Sequence, residues 1–230
     1  MEDVKHYRHE MKYSISYGDY LALRNRLRRI MKSDMHTSSD GLYHIRSIYF
    51  DNDEDKALKE KVDGIAKREK FRIRYYNDDL SFIVLEKKMK INNKCLKYDA
   101  VLTEEELRNI LNNDLEWMKS SDDELIKEFY AKLKYQRLKP RVMVSYTREP
   151  YIYKAGNVRI TFDSNIRTSL FQKDLIDQKI NDIGATDTEN SMIMEVKFDA
   201  FLPGIIQDLI QLKGIRQQAF SKYTACRTFG

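Results

Sequence analysis

The stretch KFRIRYY, residues 70–76, alternates between two kinds of side chain. In an extended chain Lys70, Arg72 and Arg74 fall on one face and the aromatic and aliphatic residues between them on the other, because successive side chains of a β-strand point in opposite directions. The pattern therefore predicts a strand with one apolar and one cationic face. Taken alone, this cationic face could simply be the hydrated side of an ordinary antiparallel sheet.

The same alternation recurs along the chain, with carboxylates mixed into the polar face. These faces carry Glu10 and Lys12 in RHEMKYS, Glu86, Lys88 and Lys90 in VLEKKMK, Arg159, Thr161 and Asp163 in VRITFD, and Glu195, Lys197 and Asp199 in MEVKFD. An E-x-K pair occurs in three of the strands. At least five predicted strands thus have one apolar and one densely ionic face.

Composition indicates a globular protein. With 42% hydrophobic residues, a chain of 230 residues can bury a full core, and its length favours one domain spanning residues 1–230. The balance of 41 Lys and Arg against 36 Asp and Glu is too mild to predict a nucleic-acid partner. The two cysteines, Cys95 and Cys226, have no paired spacing, so neither a disulfide framework nor a zinc site is indicated and a reducing cytoplasm is expected.

Neither a signal peptide nor a membrane-spanning helix is expected. The N-terminal sequence MEDVKHYRHEMKYSIS is charged where a signal peptide requires an apolar segment. No apolar run approaches the roughly 20 residues that span a bilayer. We therefore expect a cytoplasmic protein.

Seven strands and five helices are predicted. The strands are YRHEMKYSIS, LYHIRSIYFD, KREKFRIRYYN, LSFIVLEKKMKI, KPRVMVSYTREPYIY, NVRITFD and MIMEVKFD. The helices are GDYLALRNRLRRIMK, a segment starting near Asp53, TEEELRNILNN with a capping box of Thr103 and Glu106, SDDELIKEFYAKLKYQRL, and a stretch from GIIQDLIQL towards the C-terminus. Their irregular order predicts an α+β fold.

Two architectures satisfy these strands. The ionic faces could meet water, or the sheet could close into a barrel with the ionic faces lining a lumen. A lumen rich in Lys and Arg would repel itself unless an anion occupied it, since unit charges at close range in a confined site interact by several kcal/mol. A chain of phosphates would satisfy such a lumen, and the carboxylates would hold the accompanying divalent cation.

The order of the motifs resembles a known family. The successive motifs RHEMKY, YFD, RIRYY, LEKKMK, SYTREPYIY, VRITFD, MEVKFD and FSKY are similar, across nearly the whole chain, to those of the vacuolar transporter chaperone (VTC) domain. That domain is the polyphosphate polymerase branch of the triphosphate tunnel metalloenzymes, also called the CYTH-like superfamily. The resemblance implies an eight-stranded antiparallel barrel with helices outside.

The resemblance also implies an activity and a set of site residues. The activity is transfer of the terminal phosphoryl group of ATP, or another nucleoside triphosphate, to a growing polyphosphate chain, with Mn²⁺ or Mg²⁺ bound by a tunnel glutamate. That glutamate would be Glu195, with Glu10 and Glu86 as further candidates. The phosphate-binding cations would be Lys12, Arg72, Arg74, Lys88, Arg148, Arg159, Lys197 and Lys222, with Lys94 or Lys97 as a further contact.

Some alternatives stay open at this stage. Arg148 has the strand parity of the apolar Val144 and Tyr146, so only a bulge or a strand end would turn it towards the polar face. Besides the polymerase, the same tunnel could hydrolyse inorganic triphosphate or a nucleoside triphosphate, or the domain could bind polyphosphate without catalysis. Replacement of Glu195 should spare binding in the last case and abolish turnover in the other two.

Overall fold

The computed structural model has an α+β fold with a large antiparallel sheet. The structure describes residues 8–34, 37–38, 40–91, 94–170, 182–185, 191–212 and 214–229. Its strands are β1 (His9–Ser16), β2 (Lys32–Ser33), β3 (Tyr43–Asp51), β4 (Lys67–Tyr76), β5 (Asp79–Ile91), β6 (Lys94–Leu102), β7 (Lys139–Tyr153), β8 (Val158–Leu170), β9 (Ile183–Gly184) and β10 (Ser191–Phe198).

Six α-helices occur in the described part of the chain, and none of them is long and apolar enough to cross a membrane. They are α1 (Tyr17–Leu27), α2 (Lys56–Val62), α3 (Glu104–Leu111), α4 (Glu124–Tyr135), α5 (Gly204–Ile210) and α6 (Lys222–Phe229).

The chain divides into two compact units. The first comprises Met1–His44, Tyr146–Ile166 and Gly184–Ser221, and the second comprises Ile45–Ser145, Arg167–Ile183 and Lys222–Gly230. Two of the long strands, β7 and β8, contribute residues to both units. This division does not test the prediction of a single domain, which stays a prediction.

In the first unit, β10 lies between β1 and β8, and both pairs are antiparallel. The apolar faces of these strands pack with α1 and α5 in one hydrophobic cluster. Its buried members include Ile15, Leu23, Ile160, Val196 and Ile206. Helix α1 begins after Ser16, whose side chain accepts a hydrogen bond from the Asp19 amide in a capping box.

In the second unit, β3, β4, β5 and β6 form an antiparallel series in that order. Their apolar faces pack against α3 and α4, and Phe129 of α4 lies at the centre of that core. Its ring meets Phe50 edge-on at 5.0 Å and stacks on Phe71 at 5.2 Å between centroids. Thr103 and Glu106 form the predicted capping box at the start of α3.

Several predicted boundaries were wrong. Strand β6 was not predicted, although Lys97 and Asp99 alternate there with the buried Ala100 and Leu102. The first helix ends at Leu27 rather than Lys32, since Lys32 pairs with Ile152 in β7 instead. Tyr7 of the first predicted strand lies outside the described residues.

The predicted C-terminal helix is two helices. Helix α5 ends at Ile210, and α6 begins only at Lys222. Between them the chain runs beside β1, where the Gln218 amide donates to the Lys12 carbonyl at 2.9 Å. Gly214 has a φ of +81°, which lets the backbone turn in a way that a helix does not allow. Closure of the strands into an eight-stranded barrel remains a prediction.

We expect Phe129→Ala to lower the free energy of unfolding by about 3–5 kcal/mol, because it empties the centre of the second core. Tyr135 lies on the same helix and is 81% exposed, so Tyr135→Ala is the matched control and should change that free energy by less than about 0.5 kcal/mol. Denaturant titration of both variants measures the difference. Similar effects of the two substitutions would contradict the packing of α4 on these strands.

Candidate functional site

The first group of polar side chains comes from β1, β8 and β10, together with Arg148 of β7. We call the set Glu10, Lys12, Arg148, Asp163, Glu195 and Lys197 the glutamate cluster. The strand register places Lys12 opposite Glu195 and Glu10 opposite Lys197. The sequence alternation and this register together bring opposite charges side by side across the strands.

Arg148 is held inside the glutamate cluster by a bidentate ion pair. Its Nε is 2.6 Å from Asp163 Oδ1 and its Nη2 is 2.8 Å from Asp163 Oδ2, while Nη2 also lies 3.3 Å from Glu195 Oε2. Burial alone would lower the pKa of Arg148, but the charges of Asp163 and Glu195 raise it well above its usual value. The strand parity of Arg148 left open whether its side chain turns towards the polar face. The structure shows that it does, because it contacts the carboxylates there.

Lys12 joins the two glutamates of the cluster. Its Nζ lies 2.8 Å from Glu10 Oε1 and 3.5 Å from Glu195 Oε1, and it donates a hydrogen bond to the Phe220 carbonyl at 3.2 Å. Burial tends to lower the pKa of Lys12, but the two carboxylates outweigh it and raise the pKa above the ordinary value. Lys12 is thus a permanent cation at physiological pH. Lys197 Nζ also lies 3.5 Å from Glu195 Oε1.

Arg159 lies next to this cluster, opposite Lys197 in the pairing of β8 with β10. One of its terminal nitrogens is 3.1 Å from Asp34 Oδ2. Among the residues that the structure describes, neither the buried Arg159 Nε nor the buried Thr161 Oγ1 has a hydrogen-bond partner. Buried polar atoms of this kind need an explanation, and a bound ligand is one.

The second group lies on β3–β6. We call Arg72, Arg74, Glu86 and Lys97 the arginine cluster. Arg72 donates through Nε to Glu86 and through Nη1 to the Tyr49 hydroxyl at 2.8 Å. Arg74 donates to Ser47 Oγ at 3.2 Å, and its Nη1 lies 3.7 Å from Glu86 Oε1.

Glu86 is the shared anion of the arginine cluster. Its side chain is 3% exposed, and Lys97 Nζ lies 2.7 Å from its Oε1. Burial by itself would raise the pKa of Glu86, but Arg72, Arg74 and Lys97 together hold it well below its usual range. One ionised carboxylate therefore fixes two arginines and a lysine.

The remaining predicted residues have more open positions. Lys88 on β5 is exposed and lies opposite Lys97 in the register. Lys222 is the first residue of α6. The side chain of Lys94 lies outside the described residues, so only Lys97 of that pair can be placed.

Sequence reasoning overlooked three side chains that position these arginines. Asp163 was recognised as polar but was not given a role, although its place in the alternation of VRITFD already put it on the face of Arg159. Ser47 and Tyr49 alternate in the same way in HIRSIYF, opposite the apolar Ile48 and Phe50. Their contacts with Arg72 and Arg74 follow from the pairing of β3 with β4, which the alternation does not specify.

No group of three or more His, Cys, Asp or Glu side chains that could hold a metal occurs among the described residues. Glu195 is instead surrounded by Lys12, Arg148 and Lys197 at 3.3–3.5 Å. Such distances exceed the roughly 2.7–2.9 Å of charge-assisted hydrogen bonds. Mg²⁺ is commonly bound by only one or two carboxylates together with substrate phosphates, so a single glutamate fits that mode of binding.

The chain is similar to solved structures. The "putative adenylate cyclase" from Bacillus halodurans matches at a TM-score of 0.51 and 14% identity, over 86% of this chain and 82% of that one. A second "putative adenylate cyclase", from Vibrio parahaemolyticus, matches at a TM-score of 0.45 and 10% identity, over 89% and 82% of the two chains. No curated protein matches the chain. At this identity, the first of these likenesses shows a shared fold.

The particular family follows from the sequence match. The model of the VTC domain matches residues 7–229, nearly the whole chain. This protein belongs to the VTC domain family of the triphosphate tunnel superfamily. Members of that superfamily typically use divalent metals, and the VTC family implies triphosphate or polyphosphate ligands.

Asp163→Asn should lower the free energy of unfolding by about 3–5 kcal/mol, because it leaves the buried Arg148 without its bidentate partner. The matched control is Asp199→Asn, which removes the Arg8 partner at a site where the two side chains are 33% and 36% exposed. That exposed pair should contribute less than about 1 kcal/mol. Equal losses in urea titration would show that Arg148 is not held as described.

A second expectation concerns acid stability. The folded-state pKa of Glu86 is lowered, so its contribution to stability is present above its unfolded pKa of about 4.3 and is lost as the pH falls towards the folded value. The difference in unfolding free energy between the wild type and Glu86→Gln should therefore be largest near neutral pH and narrow below about pH 4. Glu104→Gln, which alters an exposed pair with Arg108, is the control. A difference that stays constant down to about pH 3 would refute the role of Glu86.

Proposed function

We propose that this protein is a polyphosphate polymerase that transfers the terminal phosphoryl group of ATP, or of another nucleoside triphosphate, to a polyphosphate chain. Membership of the VTC family supports the phosphate ligands and the tunnel fold. The closed barrel belongs to this proposal as well. A cytoplasmic location is also proposed, and the free thiols of Cys95 and Cys226 support a reducing compartment.

One observation carries the proposal: three cations share a single buried carboxylate in the arginine cluster. Arg72, Arg74 and Lys97 all approach Glu86, and Lys97 also lies 2.9 Å from Asp99. Lys88 adds a further positive charge on the same face. A polyanion would bind these clustered cations, because phosphate oxygens accept the paired N–H donors of an arginine fork.

Phosphoryl transfer makes modest demands on such a site. The reaction needs in-line positioning and neutralisation of charge on the transferred group, and no side chain has to act as a nucleophile. The terminal oxygen of the acceptor phosphate attacks the γ-phosphorus of ATP, and the bond from that phosphorus to the bridging oxygen breaks, releasing ADP. Arg72 and Arg74 would grip phosphate oxygens by their forks, while Lys12, Lys88, Lys197 and Lys222 would act as point charges.

The glutamate cluster supplies the second half of the proposal. Asp163 orients Arg148 by a bidentate pair, so that the guanidinium is held ready at the polar face. Arg159 has an unpartnered buried Nε among the described residues and would donate it to a phosphate oxygen. Glu195, with phosphate oxygens as the other ligands, would hold Mn²⁺ or Mg²⁺, which neutralises charge on the triphosphate. The metal roles of Glu10 and Glu86 stay predictions.

The decisive experiment incubates the purified protein with ATP and Mn²⁺ and resolves the phosphate products by size on a gel, with free phosphate counted in parallel. We expect long polyphosphate chains from the wild type. Arg72→Ala and Glu195→Gln should each reduce chain formation by about 100-fold or more, since charge-stabilising donors contribute on that scale. Arg108→Ala, on the exposed face of α3, is the control and should retain the wild-type rate.

The other outcomes separate the alternatives. Release of free phosphate without chain formation would show that the protein is a triphosphatase and not a polymerase. If the protein forms neither chains nor free phosphate, and Glu195→Gln still binds triphosphate, the domain binds polyphosphate without catalysis. Retention of chain synthesis in Arg72→Ala would contradict the role of the arginine cluster.

A further inference from the structure

Positive side chains face one another across β4, β5 and β6, next to the arginine cluster, with which they share Lys97. The register places Lys70 opposite Lys88, and Lys88 opposite Lys97. Arg68 lies opposite Lys90 two residues earlier along β4, on the same strand face. Like charges directly opposite each other on one face destabilise a sheet. We call these five residues the cationic rows.

Lys70 occupies an unusual place within the cationic rows. Its Nζ lies 4.6 Å from the centroid of the Tyr223 ring, within the distance of a cation–π contact. The Tyr223 hydroxyl donates to Asp51 Oδ2 at 2.6 Å, and Tyr223 directly follows Lys222 in α6. Lys70 therefore adjoins the helix that carries a predicted phosphate contact, and it shares the strand face of Arg72 and Arg74.

Both positive and negative side chains surround Lys70, but the carboxylates have other partners. The carboxylate of Asp51 favours the protonated form of Lys70, but it already accepts hydrogen bonds from the Tyr223 hydroxyl and from two amides of α2. A cavity of about 20 Å³ lies beside Lys70. The charged and titratable groups around Lys70 and this cavity come from five elements: Lys56, Glu60 and Lys61 of α2, Asp51 of β3, Arg68 and Glu69 of β4, Lys88 of β5 and Tyr223 of α6.

Glu69 does not relieve this repulsion, because it is paired with Lys87 and Lys132. Burial, followed by the charges of Lys61 and Arg68, lowers the pKa of Lys70 to about 7. An amine with that pKa is neutral in roughly nine-tenths of molecules at pH 8 and in roughly one-tenth at pH 6. Without a ligand, the Lys70 amine is therefore mostly neutral above about pH 7 and can still gain a proton.

We propose that Lys70 is a proton-coupled phosphate contact: its amine takes up one proton from solvent when a linear polyphosphate binds along the cationic rows. The step is R–NH₂ + H⁺ → R–NH₃⁺, and no covalent bond to phosphorus forms. The identity of the ligand rests on the proposed function. The rest of the inference depends on the strand register and on the surroundings of Lys70.

The direction of the coupling follows from linkage. A bound polyanion favours the charged amine, so it raises the pKa of Lys70, and protonation in turn favours binding of the polyanion. The affinity of the wild type for polyphosphate should therefore decrease as the pH rises above about 7. Lys70→Arg keeps a permanent positive charge and should lose this part of the pH dependence.

Calorimetric titration with linear inorganic polyphosphate, without ATP or metal, tests the coupling. Measurements in two buffers of different ionisation enthalpy give the number of protons taken up for each chain bound. At about pH 8 the wild type should take up roughly 0.9 proton more than Lys70→Arg, and at about pH 6 the excess should fall to roughly 0.1. Protons bound or released by the ligand itself cancel in this difference.

A second measurement needs no variant. Trace acetylation of the amines with acetic anhydride, read by mass spectrometry over a range of pH, gives the pKa of Lys70 in the intact protein. Its midpoint should lie near 7 without ligand and move up towards the ordinary lysine value of about 10.4 with polyphosphate bound. Lys59, exposed on α2, should keep the same profile in both states.

Failure of the inference can be told from failure of the proposed function. Equal proton uptake in wild type and Lys70→Arg, or an unmoved acetylation midpoint, would overturn the coupling even if polyphosphate is synthesised. Proton uptake on polyphosphate binding, without polyphosphate synthesis from ATP, would support the coupling and contradict the polymerase activity. Absence of any polyphosphate binding would overturn both.

Discussion

Compensation of charge on the strand faces is the constraint on which the rest of this molecule depends. A charged side chain that leaves water needs a partner, because the cost of desolvation otherwise exceeds what packing returns. In the first unit that partner is a carboxylate: Asp163 for Arg148, and Glu10 with Glu195 for Lys12. In the second unit one carboxylate, Glu86, serves several cations at once.

This difference between the units suits a protein whose ligand is a polyanion. Positive charges set close together repel one another, and a bound phosphate relieves that repulsion. The positioning pairs matter for the same reason. An arginine already oriented by a carboxylate loses less side-chain freedom when it grips a phosphate, so the protein bears that entropic cost in folding rather than in binding.

Prediction from sequence succeeded where one period dominates. The alternation in KFRIRYY, MEVKFD and VRITFD indicated strands with an ionic face. Helix α3 begins directly after its predicted cap, Thr103, and α4 lies within the predicted helical segment. It failed where tertiary pairing overrode local preference. Lys32 has a helical sequence pattern but pairs with Ile152 in a strand, and the chain after Ile210 is not helical but runs beside β1.

What the sequence by itself determined is the alternation of the strand faces and the order of the motifs. Both are local or linear properties, and they were enough to predict an α+β fold and membership of the VTC family, which the family match confirmed. Only the tertiary structure decided which charges meet. Strand register places Lys70 opposite Lys88, and the pairing of distant segments brings Arg148 to Asp163 and Tyr223 to Asp51. Periodicity carries no information about register between strands, so these contacts become known only when the strands are paired.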